Sequence, residues 1–240
     1  MSQFVFIHGP GAGGCAASFR RQLDAFPGSI APDLPGHLAG ISCASVERYT
    51  DWLRGWLWAQ GHQRDLVLVG FTLGSCIALQ YALDYPDEVQ ALVLMTVSMR
   101  AKKRAPDTLN FRLQAATDPA VHAQWLDAMR QAMQWVAPDF REQLITCHRQ
   151  VGPLSQHRDL VVIDQFDVQD RIHTLQTPLL LIRGMDDPLA PEEYERDIHQ
   201  AVPGSHYLPL RQAGHFPMAE QPEVINKAIV DFVARLGSRA

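Results

Sequence analysis

Asp65-Leu66-Val67-Leu68-Val69-Gly70-Phe71-Thr72-Leu73-Gly74 is a short apolar run that ends in a glycine-flanked turn and passes straight into a helical pattern. A strand that turns this sharply into a helix forces its central residue, Thr72, into a strained backbone conformation. Glycines on either side let the two elements approach without a Cβ clash. The central side chain then projects above the carboxyl end of a sheet, with a helix N-terminus behind it, where a nucleophile belongs.

Working outward, Phe4-Val5-Phe6-Ile7 is a second continuous apolar run, as expected of a strand buried on both faces. It ends in the glycine-rich loop His8-Gly9-Pro10-Gly11-Ala12-Gly13-Gly14. A helix is expected from about Ala17 to Ala25, and a short strand at Ser29-Ile30-Ala31. Ser45 caps a helix whose Tyr49, Trp52, Leu53, Trp56 and Leu57 share one face. Behind the elbow a helix runs to about Tyr85 and stops before Pro86. Ala91 to Met95, Pro178 to Ile182 and, more weakly, Ser205 to Leu210 read as further strands, and about Gln221 to Leu236 as the closing helix.

Between Ser98 and Thr174 the strand signal vanishes. Apolar residues recur at helical spacing, and Pro106, Pro119, Pro138 and Pro153 stand near the expected helix starts. The chain is therefore expected to divide into a core, 1–98 and 175–240, and a helical insertion, 99–174. Strands alternating with helices imply a mostly parallel sheet with helices on both faces.

Bulk properties exclude several classes. The 240 residues carry a net charge of −5, with 47% hydrophobic and 20% charged residues, as expected of a globular domain. Nucleic acid is not an expected partner, because the basic run Lys102-Lys103-Arg104 is short and isolated. No stretch is long enough to span a bilayer, and no secretory signal is visible, so a cytoplasmic location is expected. Cys15, Cys43, Cys76 and Cys147 show no metal-type spacing and read as four reduced thiols. No metal site and no cofactor are expected, and oligomeric state is not legible.

Three chemical signals fall at strand ends: Thr72, then Asp186-Asp187 in Arg183-Gly184-Met185-Asp186-Asp187-Pro188, then His215 in Ala213-Gly214-His215-Phe216-Pro217-Met218-Ala219-Glu220. Nucleophile, acid, histidine is a chain order with a mechanism. A neutral imidazole takes the hydroxyl proton, and a carboxylate orients the imidazole. Together with the His8-Gly9 loop and Pro35-Gly36-His37, these motifs cover nearly the whole chain, which resembles the small, capped members of the α/β-hydrolase family.

The resemblance implies a hydrolase of a small ester, thioester or related acyl compound. Thr72 stands at the nucleophile position, where the family motif carries Ser. His215 matches the base and Asp187 the acid, with Asp186 as the adjacent rival. The oxyanion hole implied by the family uses the N–H of Leu73 and an N–H from the loop after Gly9. Pro10 stands directly after Gly9 and has no N–H, so the second donor falls to Gly11 or a later glycine. Family members usually carry two strands ahead of this loop, so a sheet of about six strands is expected here.

Trp125 and Met129 are candidate pocket residues in the insertion, against the alternative that they only pack its core. His8 and His37 are expected to be structural. Two further readings remain. In one, a His215–Asp187 general base serves a lyase or cofactor-free oxygenase. In the other, the chain is a binding member impaired by the threonine.

Overall fold

The computed structural model describes residues 2–11 and 14–237. Ala12 and Gly13, part of the glycine loop, lie outside the described residues. Five strands form one parallel sheet in the order β1 (Gln3–Ile7), β2 (Leu66–Phe71), β3 (Val89–Met95), β4 (Leu179–Gly184), β5 (His206–Leu210). Ten α-helices accompany them among the described residues: α1 (Arg20–Ala25), α2 (Val46–Ala59), α3 (Leu73–Asp84), α4 (Pro106–Ala115), α5 (Pro119–Ala132), α6 (Pro138–Val151), α7 (Pro153–Gln165), α8 (Glu193–Ala201), α9 (Pro217–Glu220) and α10 (Pro222–Gly237).

The continuous apolar runs become strands because both faces are covered. Val5, Leu66, Leu68, Leu92, Leu94 and Leu181 face one way, against Tyr49 and Leu53 of α2, Ile77 of α3 and Ile198 of α8. Phe6, Val67, Val69, Val93 and Ile182 face the other way, against Phe19, Phe26 and, from α10, Ile225 and Ile229. The period-2 alternation of the strands thus divides one apolar sequence between two cores.

The expectation of about six strands is corrected to five. Ser29-Ile30-Ala31 contributes a single bridge, Val5 to Ile30, through Phe6 N–H to Ile30 O at 2.9 Å and Ile30 N–H to Phe4 O at 3.0 Å. Pro27-Gly28 before it and Pro32 after it leave no length for a ladder, and Pro32 has no N–H to donate. The bridge still matters. Ile30 lies on one side of β1 and β2 on the other. The chain therefore reverses its winding at β1, and the crevice beyond the carboxyl ends of β1 and β2 is where ligands bind in open parallel sheets. His8 and Thr72 both lie there.

The expectation of four reduced thiols is also corrected. Cys15 and Cys147 form a disulfide that spans 132 residues of sequence and ties the glycine loop to α6. Such a pair cannot be read from spacing, because only the fold brings the two residues together. The cytoplasmic expectation loses the support of reduced thiols with it. Cys43 and Cys76 are free, and burial pushes the Cys76 thiol up to about 11. No described helix is long and apolar enough to cross a membrane.

Candidate active site

Thr72 has φ +49° and ψ −109°. This is a costly conformation for a β-branched residue, of the order of 1–3 kcal/mol. Its surroundings enforce it. Thr72 N–H donates to Met95 O at 2.9 Å, and Cys76 N–H to Thr72 O at 3.0 Å. Ser75 Oγ donates to the same Met95 carbonyl at 2.8 Å and accepts from Met95 N–H at 3.1 Å. The end of β3 therefore grips both sides of the turn.

Close backbone approach explains the glycines. A Cβ on Gly74 would lie 1.9 Å from Ile7 O, and one on Gly70 would lie 2.5 Å from Gly74 O. A Cβ on Gly9 would lie 1.9 Å from Thr72 Oγ1. The threonine hydroxyl is thus turned toward the glycine loop. Thr72 Oγ1 is buried and has no hydrogen-bond partner among the described residues. Thr96, just past β3, is a second non-glycine residue at positive φ (+56°), and it lines the same cavity.

His215 Nδ1 pairs with Asp187 Oδ2 at 2.8 Å. With Nδ1–H donating to the carboxylate, Nε2 is left as the basic nitrogen. The imidazole packs edge-on between Phe71 and Phe216, with ring centroids at 5.3 and 5.1 Å. Asp187 is almost fully buried (1% exposed), and its Oδ1 accepts the N–H groups of Leu189 at 2.7 Å and Ala190 at 3.2 Å. Burial opposes its charge. His215, the Leu189 N–H and Arg183 outweigh that and hold the carboxyl below its ordinary value. The neighbouring Asp186 is exposed.

Several supporting groups escaped the sequence reading. Arg183 Nη1 lies 3.6 Å from Asp187 Oδ2 and 3.4 Å from Glu195 Oε2. Glu195, fully buried on α8, accepts Val97 N–H at 3.1 Å. Burial lifts its carboxyl to about 7 against the pull of Arg183. Glu220 accepts Gly214 N–H at 2.5 Å and Phe216 N–H at 3.3 Å, so one carboxylate braces the chain on both sides of His215. Burial raises Glu220 to about 6, against those two N–H groups. The available signals were a charged residue ending an apolar strand (Arg183) and a carboxylate closing the histidine motif (Glu220).

Thr72, His215 and Pro10 share a cavity of about 300 Å³ with residues of the insertion. Met129 lines it, whereas Trp125 lies behind the lining. Trp125 Nε1–H donates to Gln156 Oε1 at 2.6 Å, and its ring lies 3.6 Å from that of His148. Gly11, at φ +65°, packs against Gln156 and His148. His148 is buried beside Gly11, and burial pushes its pKa down to about 3. Leu73 is the first residue of α3, where N–H groups have no intrahelical acceptor. His8 accepts Leu34 N–H at 2.9 Å, and His37 pairs with Asp159 of α7 at 2.9 Å, so both tie loops together. No cluster of metal-ligating side chains occurs among the described residues.

Comparison with known proteins bears on the fold and the family. The family described as "Alpha/beta hydrolase family" matches residues 4–228. A pimeloyl-acyl-carrier-protein methyl ester esterase of Vibrio cholerae is 25% identical, over 96% of this chain and 94% of that relative. Among solved structures, a thermophilic esterase from Thermogutta terrifontis superimposes with a TM-score of 0.80 at 21% identity, over 98% of this chain and 90% of its own. A bromoperoxidase from Bacillus anthracis reaches 0.83 at 21% identity, over 97% and 92%. The match to the family spans nearly the whole described chain, and the chain belongs to the alpha/beta hydrolase family as a hydrolase-type enzyme.

Proposed function

We propose that this enzyme hydrolyses a small ester or thioester through Thr72, His215 and Asp187. The observation that carries this reading is His215 held at 2.8 Å by the buried Asp187 carboxylate, in one cavity with a strained elbow hydroxyl. His215 Nε2 takes the proton of Thr72, and Oγ1 attacks the ester carbonyl to form an acyl-enzyme. The same imidazole then protonates the departing alcohol or thiol. Water, deprotonated by His215, releases the acid. Leu73 N–H and the Gly11 segment stabilise the developing oxyanion. Pro10 withdraws one donor from that wall, a loss of about 3 kcal/mol of transition-state stabilisation if nothing replaces it. Helices α4–α7 act as a cap that shapes the acyl pocket.

One observation favours a second reading. Thr72 Oγ1 points toward Gly9 and makes no hydrogen bond. In that reading the His215–Asp187 pair is a general base acting directly on substrate or water, and Thr72 only lines the site.

One experiment separates the two. A fluorophosphonate adduct mapped by mass spectrometry to Thr72, with activity lost in Thr72→Ala and raised in Thr72→Ser, supports the covalent route. Activity retained in Thr72→Ala but lost in His215→Ala supports the general-base route.

A further inference from the structure

Three cations line the cavity above Thr72, and only one of them is held in an ion pair among the described residues. Lys102, Arg104 and Arg112 all line it, and no Asp or Glu does. Arg104 is neutralised by Asp164, through contacts of 2.8 and 3.0 Å. The other two cations form no ion pair with any described carboxylate. Arg112 donates from Nε to Gln156 Oε1 at 3.2 Å and from Nη1 to Thr108 O at 2.5 Å, two neutral acceptors that hold the guanidinium without neutralising it. Lys102 Nζ sits 4.3 Å from the Tyr194 ring centroid, a contact that holds an ammonium without neutralising it.

Both side chains are half-buried, and their environment disfavours the charge they carry. Burial and the neighbouring Arg104 push Arg112 down to about 10, and burial lowers Lys102 against the opposing pull of Asp164 and Glu195 nearby. Partly desolvated cations held in no close ion pair are stabilised by an anion brought from outside. The remainder of the lining includes Met129, Leu160 and Ile163. The cavity therefore offers apolar as well as cationic surface to a substrate.

We propose that Lys102 and Arg112 form a carboxylate subsite and that the substrate is a short ester with a free carboxylate on its acyl part, such as the half-ester of a small dicarboxylic acid. This rests on the hydrolase reading above. Water adds across the ester C–O bond to give the alcohol and the diacid, and the carboxylate held by Lys102 and Arg112 is unchanged.

The test compares kcat/KM on mono-4-nitrophenyl glutarate with that on 4-nitrophenyl valerate, its uncharged counterpart of equal acyl length. Wild type prefers the half-ester. In Lys102→Met and in Arg112→Met the ratio of the two falls at least tenfold, chiefly through KM, and the charge-keeping Arg112→Lys retains most of it. Ratios that do not move, or parallel losses on both esters, overturn the subsite. Glutarate binding, followed by the rise in melting temperature, provides an independent arm. Should wild type cleave neither ester, the hydrolase reading fails. Stabilisation by glutarate that Lys102→Met/Arg112→Met abolishes still supports the subsite, and its absence in wild type overturns it. Stronger stabilisation by inorganic phosphate than by glutarate overturns the carboxylate assignment.

Discussion

The floor and the roof of the cavity are built by different means. The floor is the sheet edge, with the elbow after β2 and the His215 loop after β5. Backbone geometry holds it: Gly9, Gly70 and Gly74 stand where a Cβ would collide with neighbouring atoms, and Met95 O fixes the turn. The roof is the helical insertion. Long side chains hold it: Trp125 and Arg112 on Gln156, Arg104 on Asp164, and His37 on Asp159, together with the Cys15–Cys147 cross-link. A floor set by backbone contacts admits few sequences, so it leaves short, dense motifs. A roof set by side-chain pairs far apart in sequence leaves no local signature. In a family with one site architecture and many substrates, this is the expected division between chemistry and specificity.

The largest predicted effect separates two adjacent residues of the floor. Asp187→Asn removes the acceptor that fixes the His215 tautomer, and kcat falls by about 10⁴-fold. Asp186→Asn, at an exposed side chain, changes kcat less than about threefold. Steady-state assays of the two variants side by side check this, and equal losses would undo the assignment of Asp187.

Cys147→Ser tests the roof. Releasing a closure of 132 residues lowers unfolding free energy by about 2–4 kcal/mol. Urea denaturation measures the loss, and reduction of the native protein produces a similar shift. Finding four titratable thiols in the unreduced, denatured chain would remove the cross-link and this prediction together.

The smallest effect lies beneath the floor and is read through pH. Glu195 and Glu220 have carboxyls raised by burial, to about 7 and about 6. A carboxyl with a raised folded pKa holds more protons folded than unfolded between its two values, so stability declines as pH climbs through that window. Asp187 is shifted down, and its contribution is present above its unfolded pKa and lost as pH falls through the folded one. The melting temperature is therefore highest near pH 5 and declines toward pH 7. Glu195→Gln removes a slope of at most about 1.4 kcal/mol per pH unit. A melting temperature that rises steadily from pH 5 to 8 contradicts this.

Some of the roof was legible. Pro106, Pro119, Pro138 and Pro153 stand at the first positions of α4, α5, α6 and α7, because a missing N–H costs nothing where no intrahelical acceptor exists. What those helices face was not legible. Lys102-Lys103-Arg104 read as an isolated basic run, yet Lys102 and Arg104 turn into the cavity. Trp125 and Met129 share a helix face, yet only Met129 reaches the lining. Ser29-Ile30-Ala31 has strand composition, and flanking prolines cut it to a single bridge.

Local chemistry in the sequence determined the parallel sheet, the elbow at Thr72 and the order of Thr72, Asp187 and His215, because backbone strain and glycine contacts act over a few residues and demand particular residue types. Tertiary structure set His215 against Asp187, joined Cys15 to Cys147, turned the Thr72 hydroxyl toward Gly9 and set two cations without a close ion pair in the cavity. Those outcomes depend on which side chains meet across many tens of residues, and burial and charge act on that proximity whatever the sequence separation.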